Sequence, residues 1–148
     1  MRQVLTELLC DLRVTIWYEW SGDDFGVFPS REKARPALHA ARTLAEQLDG
    51  YALSRRLPLE SPADFALLFE KATGEQKLVV WTTPPDGQPP DQAPPHAVDL
   101  AVSGAGPFAV CDLFGKMGPV NARGGRITVT LTGAPQYITL RGPAASKP

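Results

Sequence analysis

The twelve residues TIWYEWSGDDFG (15–26) hold two tryptophans, a tyrosine and three carboxylates. No other stretch is so dense in groups that could hold a ligand. Aromatic faces stack on flat apolar surfaces, and carboxylates accept hydrogen bonds or exchange protons. A structural reading competes with this one. Strands favour aromatics for packing, a strand glutamate such as Glu19 often pairs with a cation or faces solvent, and Asp23-Asp24 is turn chemistry.

The remaining reactive side chains are scattered. Cys10 and Cys111 stand far apart without CxxC spacing, which supports neither a zinc site nor a redox motif. They read as two buried thiols or as one bridge. His39 and His96 are isolated, each an exposed or packed histidine rather than a ligand. Trp81, inside KLVVWTT, reads as sandwich core. Asp112, before Leu113-Phe114-Gly115, reads as the residue that shapes a turn, because calcium needs several more oxygen ligands nearby. No metal or cofactor site is therefore expected.

Composition narrows the function class. The chain has 148 residues, 43% apolar and 21% charged, with a formal charge of −1, as in a globular protein of one domain or one small domain with an attached piece. Nucleic-acid binding needs a basic patch to neutralise phosphates, and the clusters at Arg55-Arg56 and residues 123–126 are too small for one. No run approaches the ~20 apolar residues that span a bilayer. Glu7 and Asp11 interrupt the apolar pattern of MRQVLTELLCDLRV, so this stretch is no signal peptide.

The elements that must position residues 15–26 fall into two kinds. Residues 1–50 read as helix, strand, loop, helix. Val4, Leu5, Leu8, Leu9 and Leu12 recur at helical spacing, and residues 14–20 form a β-branched and aromatic run that suits a buried strand. Residues 21–31 are loop. A second helix opens with Pro36 in its first turn, where the missing N–H is harmless. Ala37, Leu38, Ala41, Leu44, Ala45 and Leu48 make its apolar stripe, and Asp49-Gly50 stops it. From residue 51 onward the period becomes that of strands: 51–57, 65–71, 77–83, 96–102, 108–113, 126–132 and 137–141. About seven short strands separated by turns argue for an antiparallel sandwich of ~90 residues. The proline-rich stretch 84–95 interrupts the series as a solvated loop rather than a central strand. The sequence thus reads as mainly β with two N-terminal helices: a helix-strand-helix piece over 1–50, an antiparallel β-sandwich over 51–142, and a tail over 143–148.

A fully apolar strand flanked by two helices cannot satisfy its own edges, since parallel strands of this kind are buried by neighbours on both sides. Either the piece docks on the sandwich, or it ends a larger α/β unit. The opening inside a helical pattern, without an N-cap before Val4, favours the larger unit.

The order of the pieces resembles the C-terminal end of a clan A glycoside hydrolase, a (β/α)8 barrel followed by a β-sandwich. Such families read "-SIWYDW-", a Gly/Asp-rich loop ending "-FG-", a helix opening "-KPAYHALRTL-", then "-YVLLFR-", "-LVAWTT-" and a close like "-V-D-LG-". Here the matching text is TIWYEW, SGDDFG, ARPALHAARTLAEQLDG, FALLFEK, KLVVWTT, AVCDLFG and GGRITVTLTGAPQYITL, in order across nearly the whole chain. The resemblance implies that residues 14–20 are the eighth barrel strand, 36–48 the eighth barrel helix, and 51–141 the accessory sandwich. Barrel active sites lie at the C-terminal ends of the strands, so Trp17, Glu19, Trp20, Asp23 and Asp24 would form one wall of a carbohydrate cleft. Trp20, with Trp17 as the alternative, would stack on the sugar. In a retaining enzyme two carboxyl groups ~5–5.5 Å apart do the chemistry, and in clan A these are glutamates on the fourth and seventh strands. Neither strand is in this sequence, so no catalytic residue is expected here and the chain alone should hydrolyse nothing. The implied partner is carbohydrate, bound through an intact, secreted parent enzyme. The competing assignment is a free-standing, non-catalytic sandwich module that binds carbohydrate or protein.

Overall fold

The computed structural model describes residues 1–12, 14–16, 34–85, 88–89 and 92–141. Among the described residues two helices, α1 (Arg2–Leu9) and α2 (Pro36–Leu48), precede eight strands: β1 (Ala52–Arg56), β2 (Asp64–Glu70), β3 (Gln76–Thr82), β4 (His96–Ala101), β5 (Phe108–Cys111), β6 (Met117–Val120), β7 (Arg126–Leu131) and β8 (Gln136–Arg141). Every strand pairing is antiparallel. One sheet has six strands in the order β1-β2-β3-β8-β5-β6, and β4 and β7 form a second, two-stranded sheet.

The apolar runs of β2 and β3 explain the layering. Successive side chains of a strand point to opposite faces. A strand that is apolar at consecutive positions therefore needs cover on both faces. Ala66, Leu68, Leu78, Val80 and Ile138 form one cluster with Leu100, Ile127, Val129 and Leu131 of the two-stranded sheet. This is the sandwich core. The alternate residues Leu67, Phe69, Val79, Trp81 and Tyr137 cluster with Leu5 of α1, while Leu44 and Leu48 of α2 pack against them. β7 needs cover on one side only: Ile127, Val129 and Leu131 are buried and Thr128 and Thr130 are exposed, matching the alternation of RITVTL.

Both helix ends follow from local sequence. The apolar pattern predicts helix as far as Leu12, but α1 stops at Leu9, because Asp11 takes a left-handed conformation with φ of 56°. The Asp11 and Leu12 N–H groups turn back to the carbonyls of Leu8 and Glu7, at 3.1 and 2.9 Å, the pattern of a Schellman stop. α2 has Pro36 at its start, as expected, and Gly50 with φ of 72° just beyond its end.

The expected strand over 14–20 is not formed where it can be described. Residues 14–16 belong to no strand, and residues 17–20 lie outside the described residues. Val14 and Ile16 are 75% and 85% exposed, so the described residues supply this segment with neither a sheet partner nor a covering face. One strand escaped the sequence reading. β6, Met-Gly-Pro-Val, carries glycine and proline, both poor strand formers, and it is tolerated as the outer edge of the six-stranded sheet.

Candidate functional site

Trp17, Glu19, Trp20, Asp23 and Asp24, the residues expected to line a carbohydrate cleft, all lie outside the described residues. The chain on either side of them is described. On the entry side Thr15 donates a hydrogen bond from its hydroxyl to the carboxylate of Glu7. That contact, with a second bond from Gln3 Nε2 at 2.9 Å, holds the exposed Glu7 carboxyl below its ordinary range. On the return side Ala34 and Arg35 lead into the N-terminal end of α2.

An apolar cavity of about 610 Å³ opens at that same end. Pro36 and Ala37 of α2 meet Ala93 and Pro95 of the proline-rich stretch there, with Phe114 and Pro135 from two strand-connecting loops. Phe114 is 58% exposed. Among the described residues Arg2 supplies the cavity's one charged side chain, and none that lines it is a carboxylate. Such a surface can cover an apolar face of a ligand.

A second, larger cleft of about 960 Å³ is polar. It runs between residues 58–61 and the outer side of the two-stranded sheet, lined by Glu60, Asp64, His96, Asp99, Arg126 and Thr128. His96 Nε2 lies 3.0 Å from Asp64 Oδ2, and Nδ1 lies 3.1 Å from the carbonyl oxygen of Pro94. Two acceptors on one imidazole are both satisfied only when the ring carries two protons. The bond to Asp64, and then that to Pro94, raises the His96 pKa above its ordinary value. Thr128 donates to Asp99 Oδ1 at 2.6 Å. No local sequence pattern signals this pair. Asp64 and His96 are 32 positions apart, and only strand pairing brings them together.

Other sequence expectations resolve plainly. Trp81 is core, but on the helix-covered face rather than between the two sheets. It is 1% exposed and stacks on Phe65, with centroids 4.6 Å apart and planes at 7°. The Arg56 guanidinium caps that stack 4.0 Å above Phe65. Asp112 does shape its turn: Oδ1 accepts from the N–H groups of Phe114 and Lys116 at 2.8 and 2.9 Å. The cysteines form no bridge, and only one thiol is buried. Cys10 is exposed because α1 has just ended there, whereas Cys111 lies under the helices. Burial raises the pKa of the Cys111 thiol, with the nearby Asp112 carboxylate adding to the effect. His39 is exposed. Among the described residues no group of three or more His, Cys, Asp or Glu side chains could hold a metal ion, and no helix is long and apolar enough to cross a membrane.

With this architecture, the chain has the fold of a domain found in glycoside hydrolases. A family 39 glycoside hydrolase from the gut symbiont Bacteroides cellulosilyticus superposes with a TM-score of 0.74 at 21% identity, over 95% of this chain and 29% of that one. A GH30 endoxylanase from Clostridium papyrosolvens gives 0.59 at 10% identity, over 79% of this chain and 30% of that one. An Anoxybacillus alpha-amylase gives 0.51 at 12% identity, over 84% and 27%. At these identities the likeness is one of fold. The chain spans under a third of the length of each of these enzymes. No protein-family model and no curated protein matches the sequence.

Proposed function

We propose that the chain is the C-terminal part of a clan A glycoside hydrolase acting on an oligo- or polysaccharide, comprising the last barrel strand, the helices beside it and the sandwich that buttresses them. The observation that carries this reading is the fit of nearly the whole chain, helices included, onto under a third of a much longer hydrolase. Sequence order agrees, from TIWYEW through ARPALHAARTL to the closing strands. The exposed side chains of Val14 and Ile16 fit the same reading. An apolar segment without partners is what a barrel strand looks like when the neighbouring strands are elsewhere.

In that setting Trp20 or Trp17 covers the C–H face of a sugar. Glu19, Asp23 and Asp24 accept hydrogen bonds from hydroxyls or from a neighbouring arginine. Bond cleavage falls to a glutamate pair on strands outside this sequence, so the chain by itself supplies one wall of the cleft and hydrolyses nothing. The gene tests this directly. Reading the DNA upstream of Met1 should reveal an in-frame continuation of several hundred codons with two strand-end glutamates. A stop codon followed by a dedicated promoter would sink the proposal and favour a free-standing binding module. Such a module should bind glycans in calorimetry as the purified chain, whereas a fragment should be aggregation-prone.

A further inference from the structure

His96 opens β4 directly after the proline-rich stretch, and Asp64 opens β2 in the other sheet. The Asp64 side chain is only 5% exposed and that of His96 is 41% exposed. Asp64 Oδ1 is buried with no hydrogen-bond partner, so among the described residues His96 is the one side chain bonded to that carboxylate. A buried carboxylate without a cation is strongly disfavoured. The charged imidazole is therefore what makes this arrangement tolerable. Its second nitrogen holds the Pro94 carbonyl, fixing the exit of the proline-rich stretch, whose Ala93 and Pro95 wall the apolar cavity beside α2. One imidazolium thus ties three things together: the two-stranded sheet, the six-stranded sheet and a wall of the cavity.

We propose that His96 and Asp64 form a protonation-operated latch, which pins β4 and residues 93–95 to β2 while His96 is charged and frees them when it is neutral. On deprotonation one ring nitrogen becomes an acceptor. It then faces either the carboxylate or the carbonyl without a proton, and one bond is lost. Charged groups around the pair come from each neighbouring element. Glu60, Asp99 and Arg126 line the same cleft, and Arg56 of β1 donates to the carbonyl oxygens of Asp64 and Pro62 at 2.9 and 3.1 Å. Carboxyl and guanidinium groups ordinarily titrate well outside pH 6–9, so a change within that range reports the imidazole. The sign follows from a raised folded-state pKa: the stabilisation is complete below the unfolded value of ~6.5 and vanishes as pH rises through the folded one. The latch stands on this geometry and is independent of the glycosidase reading.

Hydrogen exchange and NMR titration of the full chain test it. Between pH 6 and pH 9, protection of the Ala97 to Leu100 amides, corrected for intrinsic exchange, should fall about tenfold relative to that of β3. The His96 ring should titrate above the ordinary histidine value of ~6.5. In His96→Gln, whose site is half-exposed and tolerant, the pH dependence should vanish. Asp64→Asn should lower the His96 titration. Equal pH dependence in wild type and His96→Gln, no pH dependence in wild type, or a His96 titration at or below the ordinary histidine value of ~6.5 would each overturn the latch.

Discussion

The two faces of the six-stranded sheet are finished to different degrees. On one face the chain closes its own core. Aliphatic residues of β2, β3 and β8 meet aliphatic residues of β4 and β7, and the outer side of the small sheet presents threonines to water. The opposite face carries the large aromatics Trp81, Tyr137 and Phe69, covered by two short helices. Polar atoms are buried there too. Lys77 donates to the backbone and side-chain oxygens of Gln47, both at 2.8 Å, and burial raises the pKa of the Tyr137 hydroxyl, which has no hydrogen-bond partner. At the rim of this face Leu8, Leu12, Val14 and Ile16 are all exposed. The first face is that of a self-sufficient sandwich. The second leaves apolar side chains exposed beside its helices among the described residues, and on the proposed reading a barrel would pack there.

Removing residues 1–50 gives the largest expected effect. The sandwich reading of the sequence expects residues 51–142 to fold alone. The helix-covered face argues that this truncation exposes Trp81, Tyr137, Phe69, Leu67 and Val79 together. The expected result is loss of solubility, or strong binding of a hydrophobic dye without a sharp unfolding transition. A soluble truncation with cooperative denaturant unfolding would show that the helices only shelter the sheet.

Leu67 and Leu68 allow the same comparison at one-residue resolution. They are neighbours in β2, buried on opposite faces, the first under the helices and the second in the sandwich core. Leu67→Ala and Leu68→Ala should each cost about 2–5 kcal/mol in urea unfolding. A Leu67→Ala cost below about 1 kcal/mol would mean that the helical cover adds little, since a site that collapses or is already wet loses little on truncation. Thiol labelling reads the same face without mutation. Cys10 is exposed and Cys111 is 1% exposed beneath the helices, so Cys111 should react at least about a hundredfold more slowly with an aromatic disulfide. Comparable rates would show the helix face opening freely.

Legibility in the sequence followed the same division. β7 announced itself, because Ile127, Val129 and Leu131 alternate with threonines and need cover on one side only. The runs FALLF and KLVVW read as strands as well, but consecutive apolar residues do not say what covers each face, so Trp81 lies under the helices rather than in the expected sandwich core. α2 was readable from its proline start and apolar stripe. The end of α1 was not, since a left-handed aspartate is an uncommon stop. β6 was hidden by its glycine and proline. The His96–Asp64 pair depends on sheet pairing across 32 residues, and no local pattern encodes such a pair. The reading of the aromatic stretch 15–26 rests on the order of motifs around it, and its residues from Trp17 onward lie outside the described residues.

The smallest expected effect concerns a contact between α2 and the turn that links β5 to β6. The turn after β5 rests against α2: a side-chain carbon added at Gly115 would lie 3.6 Å from Thr43 Oγ1, and Gly115 has φ of 89°. Asp112 holds that turn by accepting two backbone N–H bonds. Both donors belong to exposed residues, so water replaces the lost acceptor at modest cost. Asp112→Ala should therefore destabilise by only about 1 kcal/mol. Asp112→Asn keeps a side-chain carbonyl at the same place and should recover most of that loss. If instead Asp112→Ala costs as much as Leu67→Ala, the turn is a principal support of α2, and the helix face is fastened from the sandwich side as firmly as from its own core.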